Sequence, residues 1–207
     1  MGARDRAGAA LKRVGILGGS FNPAHAGHRH ISVEAMRLLG LDEVWWLVSP
    51  QNPLKAAAGM ATLAVRAASA RAVARHPRIR VMDIEARMGT RFAVDTVAGL
   101  QRRHPDMAFI WLMGADILPE FHRWHRWRGL MRLLPIAVLA RPRYMGAALV
   151  SPAMVWARRW RRPIGSARDW TRWTLPAIIV LDIRQTALSA TAIRAADPDW
   201  AARYDGT

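Results

Sequence analysis

A short apolar run, rich in branched residues, that ends directly in a glycine-rich turn limits what this chain can fold into more than any other feature. Val14 to Leu17 (VGIL) is followed at once by Gly18, Gly19, Ser20, Phe21, Asn22 and Pro23, nearly all of them turn formers. From His28 to Leu39 the apolar residues Ile31, Ala35, Leu38 and Leu39 recur near helical spacing, and Gly40 stands where a helix C-cap belongs. The first unit therefore reads strand, turn, helix. The same alternation continues down the chain. Strands are expected at Glu43–Ser49, Ile79–Glu85, Ala108–Met113, Leu134–Ala140 and Ile178–Ile183, and helices at 62–74, 92–103 and 189–196. The prolines and asparagine of SPQNPLK forbid continuation of the second strand and open a loop at its carboxyl end. Apolar strands separated by helical crossovers predict an α/β fold, a doubly wound, mostly parallel sheet of five to six strands with helices on both faces.

Composition removes several function classes. With 52% hydrophobic and 22% charged residues the chain is neither disordered nor fibrous. The absence of cysteine excludes disulfides, thiolate metal sites and cysteine nucleophiles together. No apolar run reaches the roughly 18 to 20 residues that span a bilayer, since a candidate such as Met107 to Ala115 stops at Asp116. The first residues, MGARDRAGAALKR, carry charge without a following signal-type apolar stretch. We expect a cytoplasmic protein with a basic extension over 1–13 and a single domain over 14–207. The formal net charge of +16 comes from 31 basic residues, all arginine except Lys12 and Lys55, against 15 acidic ones, and its field attracts anions. Between Trp156 and Trp173 four tryptophans and six arginines surround one acid, Asp169. That texture fits a helix and loop whose tryptophans pack on the body, or a platform for single-stranded nucleic acid; the spacing favours packing, which leaves nucleic acid an adventitious partner at most.

In an open parallel sheet, ligands bind outside the carboxyl ends of the strands. GGSFNPAHAGH, Gly18 to His28, falls there. Its glycines admit a phosphate close to the backbone, and the amides at the following helix N-terminus turn positive charge toward it. His25 and His28, three residues apart, can bring two imidazole donors to one anion, which suits a transferring phosphoryl group better than proton abstraction. No neighbouring carboxylate completes a metal-ligand set. Near the other end, LSATAIR (Leu188 to Arg194) places Ser189 and Thr191 where a helix begins, with Arg194 as a forked cation.

These two strings resemble the G-x-F-x-P-x-H-x-G-H and I-S-S-T-x-I-R signatures of the nucleotidylyltransferase superfamily, with Ala190 in place of the second serine. The resemblance implies a Rossmann-like fold, and the absence of G-x-G-x-x-G argues against a dehydrogenase. WWLVSPQNPLK, MGADILPEFHRWHRW and PIAVLARPRY are in turn similar to bacterial nicotinate-nucleotide adenylyltransferases, over most of the chain from Val14 to Arg194. What that implies is an enzyme joining ATP and nicotinate mononucleotide, with Mg²⁺ accompanying the triphosphate. By resemblance ATP would meet Gly18, Gly19, Ser20, Phe21, His25, His28, Asp116, Ser189, Thr191, Ile193 and Arg194. The mononucleotide would meet Asn22, Lys55, Ala93, Val94, Thr96, Trp124 and His125, with Trp124 stacking on the pyridine ring and Trp127 packing beneath it. His25, His28, Lys55 and Arg194 would be the catalytic cations and donors. In TRFAVDT, Ala93 replaces the threonine usual in the family's mononucleotide loop. The alternatives are another nucleotidylyltransferase with a nicotinamide mononucleotide or phosphopantetheine acceptor and, behind it, a basic nucleic-acid-binding protein built on the charge and the tryptophan–arginine stretch, which would leave both phosphate signatures unexplained.

Overall fold

The computed structural model describes residues 11–50, 59–140, 145–183 and 189–205. Seven parallel strands form one sheet: β1 (Lys12–Gly19), β2 (Glu43–Val48), β3 (Ile79–Met82), β4 (Met107–Gly114), β5 (Ile136–Ala140), β6 (Arg161–Arg162) and β7 (Ile178–Asp182), in the order β3-β2-β1-β4-β5-β7-β6. Among the described residues there are nine α-helices: α1 (Ala26–Leu39), α2 (Leu63–Ala74), α3 (Ile84–Met88), α4 (Ala93–Arg103), α5 (Leu118–Phe121), α6 (Trp127–Leu133), α7 (Met145–Leu149), α8 (Pro152–Ala157) and, after the last strand, α9 (Ala190–Ala196).

Both faces of the sheet are covered, and alternation along each strand divides the core. Phe109, Trp111 and Met113 of β4 point to the layer holding α4 and α6, whereas Ile110 and Leu112 point to the layer of α1 and α2. Trp45 and Trp46 of β2 are split between the same two layers. Chain order reverses between β1 and β4, which lie side by side: β1 leads outward through β2 to β3, and β4 leads the other way. A crevice opens at the carboxyl ends of such a pair.

Three departures from the sequence reading have physical causes. The sheet has seven strands rather than five or six because Arg161–Arg162, too short to carry an apolar pattern, pairs with Ile178 and Ile179 at the edge. The expected third strand stops at Met82 instead of Glu85, its last pairing being with Leu47 of β2, and Ile84–Met88 turns into α3, closed by Gly89 at φ 64°. β1 starts at Lys12, two residues inside the expected extension, because Lys12 and Arg13 pair with Met107 and Ala108 and the Lys12 ammonium reaches Glu43 at 2.7 Å. Residues 1–10 lie outside the described residues.

The tryptophan–arginine stretch packs, but not as one helix. Ile164–Arg172 is a 3-10 helix lying on α1: Trp170 is buried and donates its Nε1–H to the Leu39 carbonyl at 3.0 Å, and Arg168 donates to the Arg37 carbonyl at 2.9 Å. Trp156 meets Trp127 edge-on at 5.0 Å and Trp160 at 4.4 Å, with Arg159 over the Trp160 ring.

Candidate active site at the β1–β4 crevice

Gly18, next to last in β1, lies against Trp111 of β4. A Cβ there would lie 2.8 Å from the indole, so the glycine is required by protein packing as well as by any approaching ligand. Beyond it the chain turns through Phe21 at φ 47°, a left-handed conformation that costs a residue of this size about 1–2 kcal/mol. The buried Phe21 ring is stacked on Trp46 at 5.1 Å and lies 4.8 Å from His28.

The two histidines open α1 as a reciprocal cap. His25 Nδ1 accepts the Gly27 amide, and His28 Nδ1 accepts the His25 amide, each at 3.2 Å. Two orphan amides of the helix terminus are satisfied this way, and both rings are held with centroids 4.0 Å apart. Because each Nδ1 is an acceptor, the neutral ring carries its proton on Nε2, the opposite edge. His28 is braced again through its carbonyl, which accepts from Ser32 Oγ at 2.9 Å while Ser32 accepts the Trp46 indole at 2.8 Å. The H-x-x-H spacing is thus a capping device that fixes two donors.

A cleft of about 570 Å³ extends from this turn across the ends of β1 and β4. Gly18, Gly19, Ser20, Phe21, Asn22, His25, His28, Asp116, Ser189 and Thr191 line it, and so do Ala93, Trp124 and His125. The C-terminal segment joins the early loop directly. Arg194 donates from Nη1 to the Asn22 carbonyl, 172 residues away in sequence, and from Nη2 to Thr191 Oγ1 at 3.4 Å. Ser189 caps α9 by accepting the Ala192 amide at 3.1 Å.

Several expected residues stand elsewhere. Lys55 and Leu188 lie outside the described residues. Ile193 and Arg194 do not line the cleft; the guanidinium instead ties the two motifs together. Val94 and Thr96 do not line it either. Val94 belongs to the core beneath α4, and the wholly buried Thr96 bonds through Oγ1 to the Phe92 carbonyl at 3.2 Å and to Thr90 Oγ1 at 2.8 Å, while its amide is held by the Phe92 carbonyl. The Asn22 side chain is engaged with Gly59 O and Ala61 N, both at 3.1 Å, so its amide group holds the far end of the β2–α2 connection.

At the end of the cleft away from the histidines, α4 starts at Ala93 without a side-chain cap, so its first amides face outward uncapped next to Phe92. Trp124 is held edge-on by Trp111 at 5.9 Å and 88° and by Phe121 at 5.3 Å and 76°. These contacts brace a side chain that lines the cleft. Trp127 is buried against Phe121 at 5.8 Å. His125 stacks on Phe92 at 4.2 Å.

Sequence reasoning missed Glu85, Arg91, Glu120 and Arg123, which also line the cleft. Glu85 is buried, and its Oε2 has no hydrogen-bond partner among the described residues. Burial pushes its carboxyl above the ordinary carboxylate range, opposed in part by hydrogen bonds from Ser49 and Thr96. It sat inside a stretch expected to be strand, so no pattern marked it.

The cytidylyltransferase-like family model matches residues 16–196. The probable nicotinate-nucleotide adenylyltransferase of Erythrobacter litoralis is 54% identical over 195 residues, which cover 94% of this chain and 89% of that protein. The one from Ruegeria pomeroyi is 47% identical over 93% of this chain and 90% of its own length. Among solved structures, a nicotinic acid mononucleotide adenylyltransferase of Plasmodium falciparum complexed with NaAD superposes with a TM-score of 0.65 at 15% identity, covering 89% of this chain and 83% of that one, a likeness of fold. The chain belongs to the cytidylyltransferase-like family and, within it, groups with the nicotinate-nucleotide adenylyltransferases.

Proposed function

We propose that the protein transfers the adenylyl group of ATP to the phosphate of nicotinate mononucleotide, forming the deamido dinucleotide and releasing pyrophosphate. A phosphate oxygen of the mononucleotide attacks the α-phosphorus. The bond from that phosphorus to the bridging oxygen breaks, and pyrophosphate leaves with the electron pair. The nucleophile is already anionic at neutral pH, so the protein needs no general base and no covalent intermediate. Its task is to hold two anions in line against their repulsion and to stabilise the charge that spreads over the transferring and leaving groups.

The observation that carries this reading is the meeting of the early and late motifs on one cleft, secured by Arg194 on the Asn22 carbonyl. The fixed His25 and His28 rings supply Nε2–H donors for the phosphates, and Lys55 supplies charge from the loop after β2. Asp116, exposed at the end of β4, suits the adenosine ribose hydroxyls. At the other end the Trp124 face takes the pyridine ring, and the uncapped amides at the start of α4 take its carboxylate. Val94 enters only through that backbone. Mg²⁺ would ride on the triphosphate, held mainly by phosphate oxygens and water, with Asp116 and Glu120 as the carboxylates along the cleft near Trp124; when bound it neutralises phosphate charge. No helix among the described residues is long and apolar enough to cross a membrane, and we assign the reaction to the cytoplasm, where ATP is plentiful.

The test is pyrophosphate release with ATP and Mg²⁺ against nicotinate mononucleotide, nicotinamide mononucleotide and phosphopantetheine at equal concentration. Fastest release with the nicotinate acceptor is expected. Absence of release with it, or faster release with another acceptor, refutes the assignment.

A further inference from the structure

Arg66 lies in the first turn of α2 and is 1% exposed. A buried guanidinium gives up solvation that must be replaced by hydrogen bonds, and arginine is among the residues least often found in a core. Among the described residues no carboxylate stands among its hydrogen-bond partners, which number four. All four are main-chain carbonyls: Ala61 at 2.9 Å, Ser20 at 2.7 Å, Ser49 at 2.7 Å and Pro50 at 2.8 Å. Burial pulls its pKa down, but from so high a starting point that the group stays cationic at neutral pH.

What these carbonyls have in common is their place around the phosphate end of the cleft. Ser20 directly precedes Phe21, whose left-handed backbone persists only where its surroundings over-determine it. Ser49 and Pro50 directly follow β2, ahead of Lys55 in the sequence, and the Ser49 amide is itself held by the Gly19 carbonyl at 3.0 Å. Ala61 closes the same connection and is tied to Asn22. Phe21 in turn touches His28. One planar fork thus fixes the turn between β1 and α1 to both ends of the β2–α2 connection.

We infer that Arg66 is a positioning residue for the triphosphate, locking the Ser20–Asn22 turn in the strained form that sets the His28 ring and the loop amides toward the phosphates. This rests on the adenylyl-transfer reading, and it says that the cation acts through the loop, without touching substrate.

The experiment compares wild type with Arg66→Lys and Arg66→Met. Calorimetric affinity for Mg-ATP alone is measured first, then the steady-state constants for ATP and nicotinate mononucleotide, all well below each melting temperature. Lysine keeps the charge but cannot span four acceptors, so Arg66→Lys is expected to weaken Mg-ATP binding and lower kcat by about tenfold or more each, with the mononucleotide KM moving less than about twofold. Arg66→Met is expected to lose more on the same two quantities. If methionine prevents folding, the lysine variant decides. Unchanged ATP affinity overturns the inference, as does a fall in kcat with both KM values intact, the mark of a smaller folded fraction. Equal weakening of both substrates overturns it too. Wild type that binds Mg-ATP but transfers to neither mononucleotide refutes the transfer reading while leaving the Arg66 comparison readable; wild type that binds no ATP refutes both.

Discussion

Replacing Trp124 by alanine separates the two ends of the cleft. The indole is only partly buried, stands nearly perpendicular to the rings of Trp111 and Phe121 and lines the cleft, so the substitution removes an aromatic surface from the site. Stacking of a flat heteroaromatic ring on such a face is worth about 1–3 kcal/mol by alanine substitution. At about 1.4 kcal/mol per tenfold, the KM for nicotinate mononucleotide should rise between roughly 5- and 150-fold. ATP does not use this ring, and its KM should stay within about twofold. The two lost edge-to-face contacts cost about 0.5–1.5 kcal/mol each, which lowers the melting temperature of a chain this long by roughly 2–12 °C. The assay is continuous pyrophosphate release, varying one substrate at saturation with the other, at a temperature where circular dichroism shows the variant folded. Trp124→Phe, which keeps a ring between the same neighbours, should recover most of the affinity. Equal rises in both KM values, or none in the mononucleotide's, would refute the stacking argument.

Two further substitutions probe the donors and the buried acid. His28→Ala removes an oriented Nε2–H donor and should lower kcat by about 100- to 1000-fold, while the loss of one cap bond costs only about 1 kcal/mol; near-normal turnover would remove the ring from the mechanism. Glu85→Gln should stabilise the protein at neutral pH. Burial raises the folded-state pKa of Glu85 above its unfolded value, so the fold favours the protonated acid: its stabilising contribution is complete below about pH 4.5 and is lost as pH rises through the raised value. Relieving one buried, partly unpartnered charge is worth about 1–3 kcal/mol. The gain in melting temperature should therefore appear at pH 7 to 8 and vanish toward pH 4.5, and a gain independent of pH would contradict the assignment.

The sequence pattern made the central sheet readable because β1, β2, β4, β5 and β7 are apolar runs buried on both faces. Seven-strand closure was not readable, since Arg161–Arg162 joins the edge through backbone pairing alone. The site divides along the same line. His25, His28, Asp116 and Trp124 sit at element ends, where strand polarity makes their direction predictable. Positions inside α4 needed the helix period as well as motif resemblance. Val94, Val97 and Leu100 recur at three-residue steps and form the inward stripe, which puts Val94 in the core and leaves the backbone at Ala93 as the part of the turn that meets the cleft. Thr96, one turn after Phe92, faces inward onto that residue's carbonyl. Arg66 is the extreme case, because an arginine among alanines in a surface helix ordinarily points to water, and its acceptors are carbonyls at nearby Ala61 and in two remote segments that carry no side-chain signature. Motifs identify side chains that reach a ligand from a strand or helix end. Residues that act through main-chain carbonyls become visible only when burial and hydrogen bonds are read together, and a charge hidden without a counter-charge beside a phosphate-binding turn marks where that loop is held.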